Sequence, residues 1–467
     1  MLGILGILLS LVTLIGMAYR GFPVIVIAPL ASLIALVFAG APLLGGYTQI
    51  FMPAAAGFIA SFFPLFLTGA VFGKLMADTG YAEAFAYGIA RAIGARRAIL
   101  ATALTAAILT YGGVSLFVVA FTLYPIAREL FIAADIPKRL LPAAMAIGAF
   151  TFSMSALPGS PQIQNVIPAR YFGTSLYSAP LYGFVGAAIM LGGGLAWVSW
   201  RAHKLKSGGE GYGPDDTETL QTSTSVHTPT KVVASGRTFL LALAPVLIVI
   251  VGNLLLSNWL LPSLDFSYLE TDAYGATTLE SVLAVWSVLV SIIVAIVFIL
   301  VTRASQLRAL SHSISDGAKD SLLPVFSTAS EAGYGAVISS VAAFALISHA
   351  LSGLSDNPLI TSAIATTLLA GITGSASGGM TVALETMSDQ LIASAAEQGV
   401  GLDVLHRVTS MASGGLDSLP HAGAIITMFM ICRLTHRQAY KDVAMTTVVM
   451  PLIAVAVVIA LHSIIGG

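Results

Sequence analysis

Six polar side chains, Ser153, Ser155, Ser160, Gln162, Gln164 and Asn165, interrupt a hydrophobic segment of this 467-residue chain between Phe150 and Pro168, among prolines at 158, 161 and 168. A bilayer core tolerates no lipid-exposed irregular backbone, because every unpaired N–H or C=O there costs several kcal/mol. The stretch FTFSMSALPGSPQIQNVIP therefore belongs inside protein or beside a wet cavity. A counterpart, SMASGGLDSLPHAGAI, runs from Ser410 to Ile425. Two interrupted hydrophobic segments at matching places in two halves point to the binding site of a transporter.

The remaining chemistry-bearing residues sit near these breaks or at two glycine-rich tips. Glu331 lies about mid-way along an apolar span, Asp417 within the second break and Glu385 after the second tip. An ionisable residue inside a membrane is a functional hypothesis by default, and these three are the proton-carrier candidates. The ordinary alternative is a carboxyl that stays protonated and bonds a neighbouring helix. His421, next to Pro420, is a candidate relay and ligand; His349 is more simply a structural histidine. The first tip offers Tyr111, Gly112, Gly113 and Ser115, and the second Ser375, Ser377, Gly378, Gly379 and Thr381. Glycine lets backbone N–H groups at a helix start approach an anion, and hydroxyls add directional bonds. Tight helix packing through small residues is the competing explanation. Ser155, Ser160, Gln162, Gln164 and Asn165 complete the expected substrate contacts.

These residues need an all-α, polytopic membrane scaffold. The chain is 57% hydrophobic and 9% charged, against about 25% charged in soluble domains. A net charge of −1 leaves no basic field for nucleic acid, and a single cysteine forms neither an intrachain disulfide nor a metal cluster. No cofactor or metal is expected. Apolar runs of spanning length fall near 2–19, 22–40, 54–76, 140–165, 178–200, 238–261, 281–301, 322–348, 405–431 and 444–464. The first is read as an uncleaved span. Two further regions, 97–131 and 359–396, read as re-entrant hairpins, with two full crossings each as the alternative. Residues 201–236 form a polar linker. With the N-terminus outside, every Lys and Arg except Arg170 and Arg407 falls on the inner side, as the positive-inside rule requires. Each half, 1–200 and 237–467, then has five crossings and one hairpin, so the second copy is inverted. Local matches agree. Pro64-Leu-Phe66-Leu-Thr68 recurs as Pro324-Val-Phe326-Ser-Thr328, Gly112-Gly113 as Gly378-Gly379, and Leu157-Pro158 as Leu419-Pro420.

The tip TYGGVS, the following LFVVAFTLYPIAREL and the two broken segments resemble the GntP family of gluconate permeases over nearly the whole chain. The resemblance implies a proton-coupled symporter for small sugar-acid or hydroxy-acid anions in a bacterial inner membrane. It also implies inverted repeats, a scaffold for homodimer contact and an elevator-like transport domain. Near the second break the gluconate permeases resemble a Ser-His-Val-Asn-Asp pattern, whereas this chain reads Ser418-Leu-Pro-His-Ala-Gly423. The SALPGSPQIQN segment is similar to the branch that includes hydroxybutyrate-type permeases.

Rival classes lack their own signatures. There is no HExxH, GxSxG or Cys/His cluster for an enzyme. A cation/proton antiporter or a sodium-coupled carboxylate symporter of the same superfamily would share the buried carboxylates. Only a transporter of organic anions would need hydroxyl-rich tips.

Overall fold

The structure, a computed structural model, describes residues 2–20, 22–94, 97–114, 116–213, 236–343, 355–420 and 422–465. Ser115, His349 and His421 lie outside the described residues. The fold is helical, with no strand among those residues. The helices are α1 Leu2–Tyr19, α2 Val24–Ala39, α3 Leu43–Asp78, α4 Tyr81–Ile93, α5 Ala98–Tyr111, α6 Leu116–Ala133, α7 Leu141–Ala149, the single turn α8 Phe152–Ser155, α9 Ile163–Phe172, and α10 Pro180–Ser207. They continue with α11 Gly236–Leu255, α12 Leu279–Thr302, α13 Leu307–Ser340, α14 Pro358–Thr373, α15 Ala376–Glu397, α16 Leu402–Ser413, α17 Gly423–Cys432 and α18 His436–Ile465. Five of the described segments are long and apolar enough to cross a bilayer: α3, α10, Phe239–Ser263 at α11, α12 and α18. The 24 residues of α12 rise roughly 36 Å at 1.5 Å each, more than a hydrocarbon core of about 30 Å.

Both regions read as hairpins are helix–turn–helix pairs, α5–α6 and α14–α15. The turn chemistry is the same in each. After α5, Gly113 takes φ +87 while its N–H reaches Thr110 O at 3.0 Å and that of Val114 reaches Leu109 O at 3.0 Å. This is a Schellman stop, which needs a left-handed residue after the last turn. After α14, Gly374 takes φ +68 and the Ser375 N–H reaches back to Ala370 O at 3.2 Å. The glycine that matches Gly113 in turn geometry is therefore Gly374, not Gly379. The two tips are offset by 261 residues (374 − 113), in step with Pro64/Pro324 and Leu157/Leu419. Gly378 and Gly379 lie in the first turn of α15 instead, where they permit close packing.

Two segments are broken as the sequence suggests. The first runs α7, α8, an extended coil through Gly159 at φ +77, then α9. The second runs α16, a coil from Gly414, then α17. The halves interleave: α3 packs on α13, α10 on α18, and α9 on both α15 and α16. The α3–α13 crossing is a backbone approach at two glycines. A Cβ on Gly317 would lie 2.8 Å from Val71 Cα, and one on Gly333 2.8 Å from Phe51 O. Small residues at such crossings are how membrane helices gain dispersion contact. At α10–α18 the Asp442 carboxylate accepts from Arg201 Nε at 2.8 Å and from Trp197 Nε1 at 3.0 Å. The amphipathic α4 was not among the expected elements. It is short, with Glu83 in its first turn and Arg91 in its last, so it carries no spanning apolar run.

Candidate functional site

The first break is held by hydrogen bonds from four directions. From the α5 tip, Tyr111 Oη donates to Pro158 O at 2.7 Å, and Gln162 Nε2 donates back to Thr110 O at 2.6 Å. From α11, Asn253 Nδ2 donates to Gly159 O at 3.1 Å. Within the break, Ser160 Oγ donates to Ser153 O at 2.6 Å. From α16, Ser410 Oγ donates to Ser155 O at 2.8 Å. The carbonyls freed by the interruption thus find donors inside protein, the condition for irregular backbone at membrane depth.

The principal anchor is Arg407, which the sequence layout leaves on the outer side. It is fully buried in α16. Its Nε donates to Ser178 O at 3.2 Å, and its Nη2 to Leu176 O and Ser178 O at 3.0 and 2.9 Å. Its Nη1 donates to Asn165 Oδ1 at 3.0 Å and Ser155 O at 3.4 Å. A guanidinium has five N–H donors, and every one is directed at an oxygen of the first half. Among the described residues no carboxylate pairs with it. The neighbouring His406 is also buried, with Nε2 3.0 Å from Asn165 Oδ1 and Nδ1 2.7 Å from Thr174 Oγ1. An amide oxygen only accepts, so the ring hydrogen sits on Nε2 and Thr174 serves the other nitrogen. Asn165 donates both Nδ2 hydrogens, to Ser160 O at 2.9 Å and Leu176 O at 3.0 Å. All its bonding positions are occupied by protein. Neither Arg407 nor His406 was expected here. A sequence signal exists: the two polar residues sit inside the apolar run Val404-Leu-His-Arg-Val408.

The second tip and second break carry the carboxylates. Ser375 caps α15, its Oγ accepting from Gly378 N–H at 3.1 Å. Ser377 Oγ lies 3.3 Å from Ser375 Oγ, and Thr381 Oγ1 donates to Ser377 O at 2.7 Å. Glu331, 1% exposed on α13, ends against Gly378, where a Cβ would fall on its carboxylate. Its Oε2 has no hydrogen-bond partner. Asp417 sits in the second break with a buried, unpartnered Oδ1, beside Ser418, whose Oγ donates to Thr447 Oγ1 at 2.8 Å. Glu385 is placed differently. It is exposed on the surface of the chain and accepts from Tyr171 Oη. The two breaks adjoin, since a Cβ on Gly414 would stand 3.7 Å from Ser155 Oγ. Of the expected ligands, Gln164 keeps a buried Oε1 without a partner. The two cavities described, of about 180 and 300 Å³, lie by the Gly173–Leu176 loop and by Ser355–Pro358, away from both tips.

Buried polar atoms without partners are rare in folded proteins, and each asks for an explanation. Here the acidic oxygens of Glu331 and Asp417 and the amide oxygen of Gln164 are left over, together with Thr110 Oγ1 at the first tip and Asn253 Oδ1 beside the first break. Groups of that kind can take up a proton, a cation or a polar ligand.

Comparison with known proteins gives a family and a relative. The description "GntP family permease" matches residues 1–465. A Bacillus subtilis (strain 168) protein named "Uncharacterized transporter YxjC" is 42% identical over 466 residues, covering 98% of each chain.

Proposed function

The chain belongs to the GntP family of permeases and is a transporter; on that premise we propose that it carries a small organic-acid anion, a sugar acid or hydroxy acid, together with protons across a bacterial inner membrane. The observation that carries this reading is the pair of unpartnered acidic oxygens, on Glu331 and Asp417. Each stands beside an interrupted helix or a tip, and a coupled carrier needs groups that are charged in one stage of its cycle and neutral in another. The helix ends at the tips and breaks supply donors for the anion, with Gln164 as a polar group still free to bond it.

The common tip geometry at Gly113 and Gly374, with the broken segments following in the same order, supports two repeats of inverted topology. The two helix pairs then act as re-entrant hairpins. The reading extends to an elevator-like movement of the hairpins and breaks against a homodimer scaffold, and to an inward-facing linker that begins after the end of α10 at Ser207.

Reconstituted liposomes test the proposal. Labelled gluconate and 3-hydroxybutyrate are offered with an inward proton gradient as the only driving force. Accumulation against the gradient is expected for at least one acid. The Glu331→Gln or Asp417→Asn variant at the true carrier should lose accumulation yet keep counterflow exchange, which need not release the proton. Accumulation that persists in both variants would remove both residues from the role. Sodium dependence at fixed pH would instead assign coupling to a cation held in the second break beside Asp417.

A further inference from the structure

The stretch Ser207-Gly-Gly-Glu-Gly-Tyr-Gly213 opens the polar linker, yet it is built rather than slack. A Schellman stop ends α10: Gly209 takes φ +83, its N–H reaches Lys206 O at 3.0 Å, and the Glu210 N–H reaches Leu205 O at 3.0 Å. The left-handed residue turns the chain back, onto the turn between α6 and α7. There Asp135 Oδ1 accepts the Tyr212 backbone N–H at 3.1 Å, and Lys206 Nζ lies 3.4 Å from Asp135 Oδ2. Arg139, just beyond that turn, pairs its Nε with Glu210 Oε1 at 3.0 Å. A Cβ on Gly211 would stand 2.3 Å from Asp135 Oδ1, so this approach requires glycine. The Tyr212 N–H, and after it Lys206, hold the Asp135 carboxyl below the usual carboxylate range, which keeps the acceptor ionised at physiological pH.

The strap buries one ring. Tyr212 is 8% exposed, and its hydroxyl lies among Tyr124 and Arg128 of α6 and Cys432, the last residue of α17. Those two helices pack on each other. One leads away from the first tip and the other from the second break, and the ring stands where both reach the linker side. The fastening is light. The side chains of the two ion pairs are 30–59% exposed, and pairs of that exposure add little stability. A strap held by one buried ring and weak ion pairs can lift locally while the helices beneath it stay folded.

We infer that residues 208–212 are a latch: docked on Asp135, they seal the linker-side end of the groove between α6 and α17, and they must lift for that groove to open to water. The inference rests on the carrier reading above, in which the hairpins and breaks open in turn to each side of the membrane. It adds the element that holds one side shut.

Cys432 reports the seal, because it is the single cysteine of the chain and is fully buried beside the ring. The measurement is its alkylation by N-ethylmaleimide in the purified protein. The parent should react slowly. Tyr212→Ala should react at least about tenfold faster as the open population rises, while melting with the parent. Tyr212→Phe, which keeps the ring, should react as the parent does. Asp135→Cys combined with Gly211→Cys supplies the converse. Asp135 Cγ lies 3.1 Å from the place of a Cβ on Gly211, which suits a disulfide, and after oxidation Cys432 stays the one free thiol. The cross-linked protein should react more slowly than the parent, and in liposomes should take up neither labelled gluconate nor 3-hydroxybutyrate until it is reduced. Unchanged Cys432 reactivity in Tyr212→Ala, fast reaction in Tyr212→Phe, or reactivity undiminished by the cross-link would overturn the inference. Full proton-driven uptake through the closed cross-link would overturn it while leaving the symport reading intact. Fast labelling in Tyr212→Ala and slow labelling after cross-linking, in a protein whose parent takes up neither acid, would uphold the latch and remove the carrier reading for those acids.

Discussion

Arg407→Ala is expected to yield almost no folded protein. The arginine is fully buried and spends all five donors on oxygens of Ser155, Asn165, Leu176 and Ser178. Its removal leaves the Ser178 carbonyl without a donor, takes one bond each from Ser155 O, Leu176 O and Asn165 Oδ1, and opens a void of a long side chain. Breaking a buried charged network by deleting one partner costs about 3–5 kcal/mol, comparable to the whole stability of many proteins. Arg407→Lys should fail nearly as badly, because an ammonium presents three donors on one atom and cannot span a fork of oxygens. Asn165→Ala should be milder, at about 1–3 kcal/mol, since Arg407 would keep its carbonyl partners. Size-exclusion profile and unfolding temperature in detergent rank the three. An Arg407→Ala protein melting with the parent would show that the guanidinium fastens nothing.

Gly379→Val should abolish both uptake and the folded α14–α15 pair. A Cβ at 379 would fall on the backbone N and Cα of Ala370, so the two helices must part before any larger group fits, and even alanine should harm the pair. Gly113→Val is a different lesion. Its Cβ would meet only Val249, Pro161 and Ile292, at 3.5–4.0 Å, but the left-handed φ costs a side chain about 1–2 kcal/mol. Expression yield separates the two: lost for Gly379→Val, reduced for Gly113→Val. Equal yields would mean that the backbone approach at Ala370 relaxes without cost. The expectation that both glycines simply admit substrate thus divides into a turn requirement at 113 and a packing requirement at 379.

Much of the scaffold was legible because apolar run length and glycine–proline punctuation are local properties. The helix pairs begin and end within a few residues of 97–131 and 359–396, and both breaks fall at their polar stretches. The register of the tips was not legible: paired glycines drew the eye to 378 and 379, whereas positive φ belongs to Gly374. Glu331 and Asp417 stood out because an acid in an apolar span has no bland surface explanation. Arg407 did not, since at the start of the run 405–431 it counted only as a basic residue on the outer side. Its partners lie 229 to 252 residues earlier, and nothing local announces them. Asn165 was visible as a polar residue in a break, but its saturation by Arg407 and His406 depends on that same distant contact.

The buried knot around Arg407 also has a consequence for biosynthesis. Ser178 and Ser155 are translated 229 and 252 residues before the arginine that serves them. At about 5–20 residues per second, the nascent first half waits roughly 10–50 s with these carbonyls unserved in or beside the bilayer. During that interval the first break has no low-energy place in lipid. It must be sheltered by the insertion machinery or held at the aqueous interface, so the membrane insertion of the first half is completed only after α16 has emerged from the ribosome.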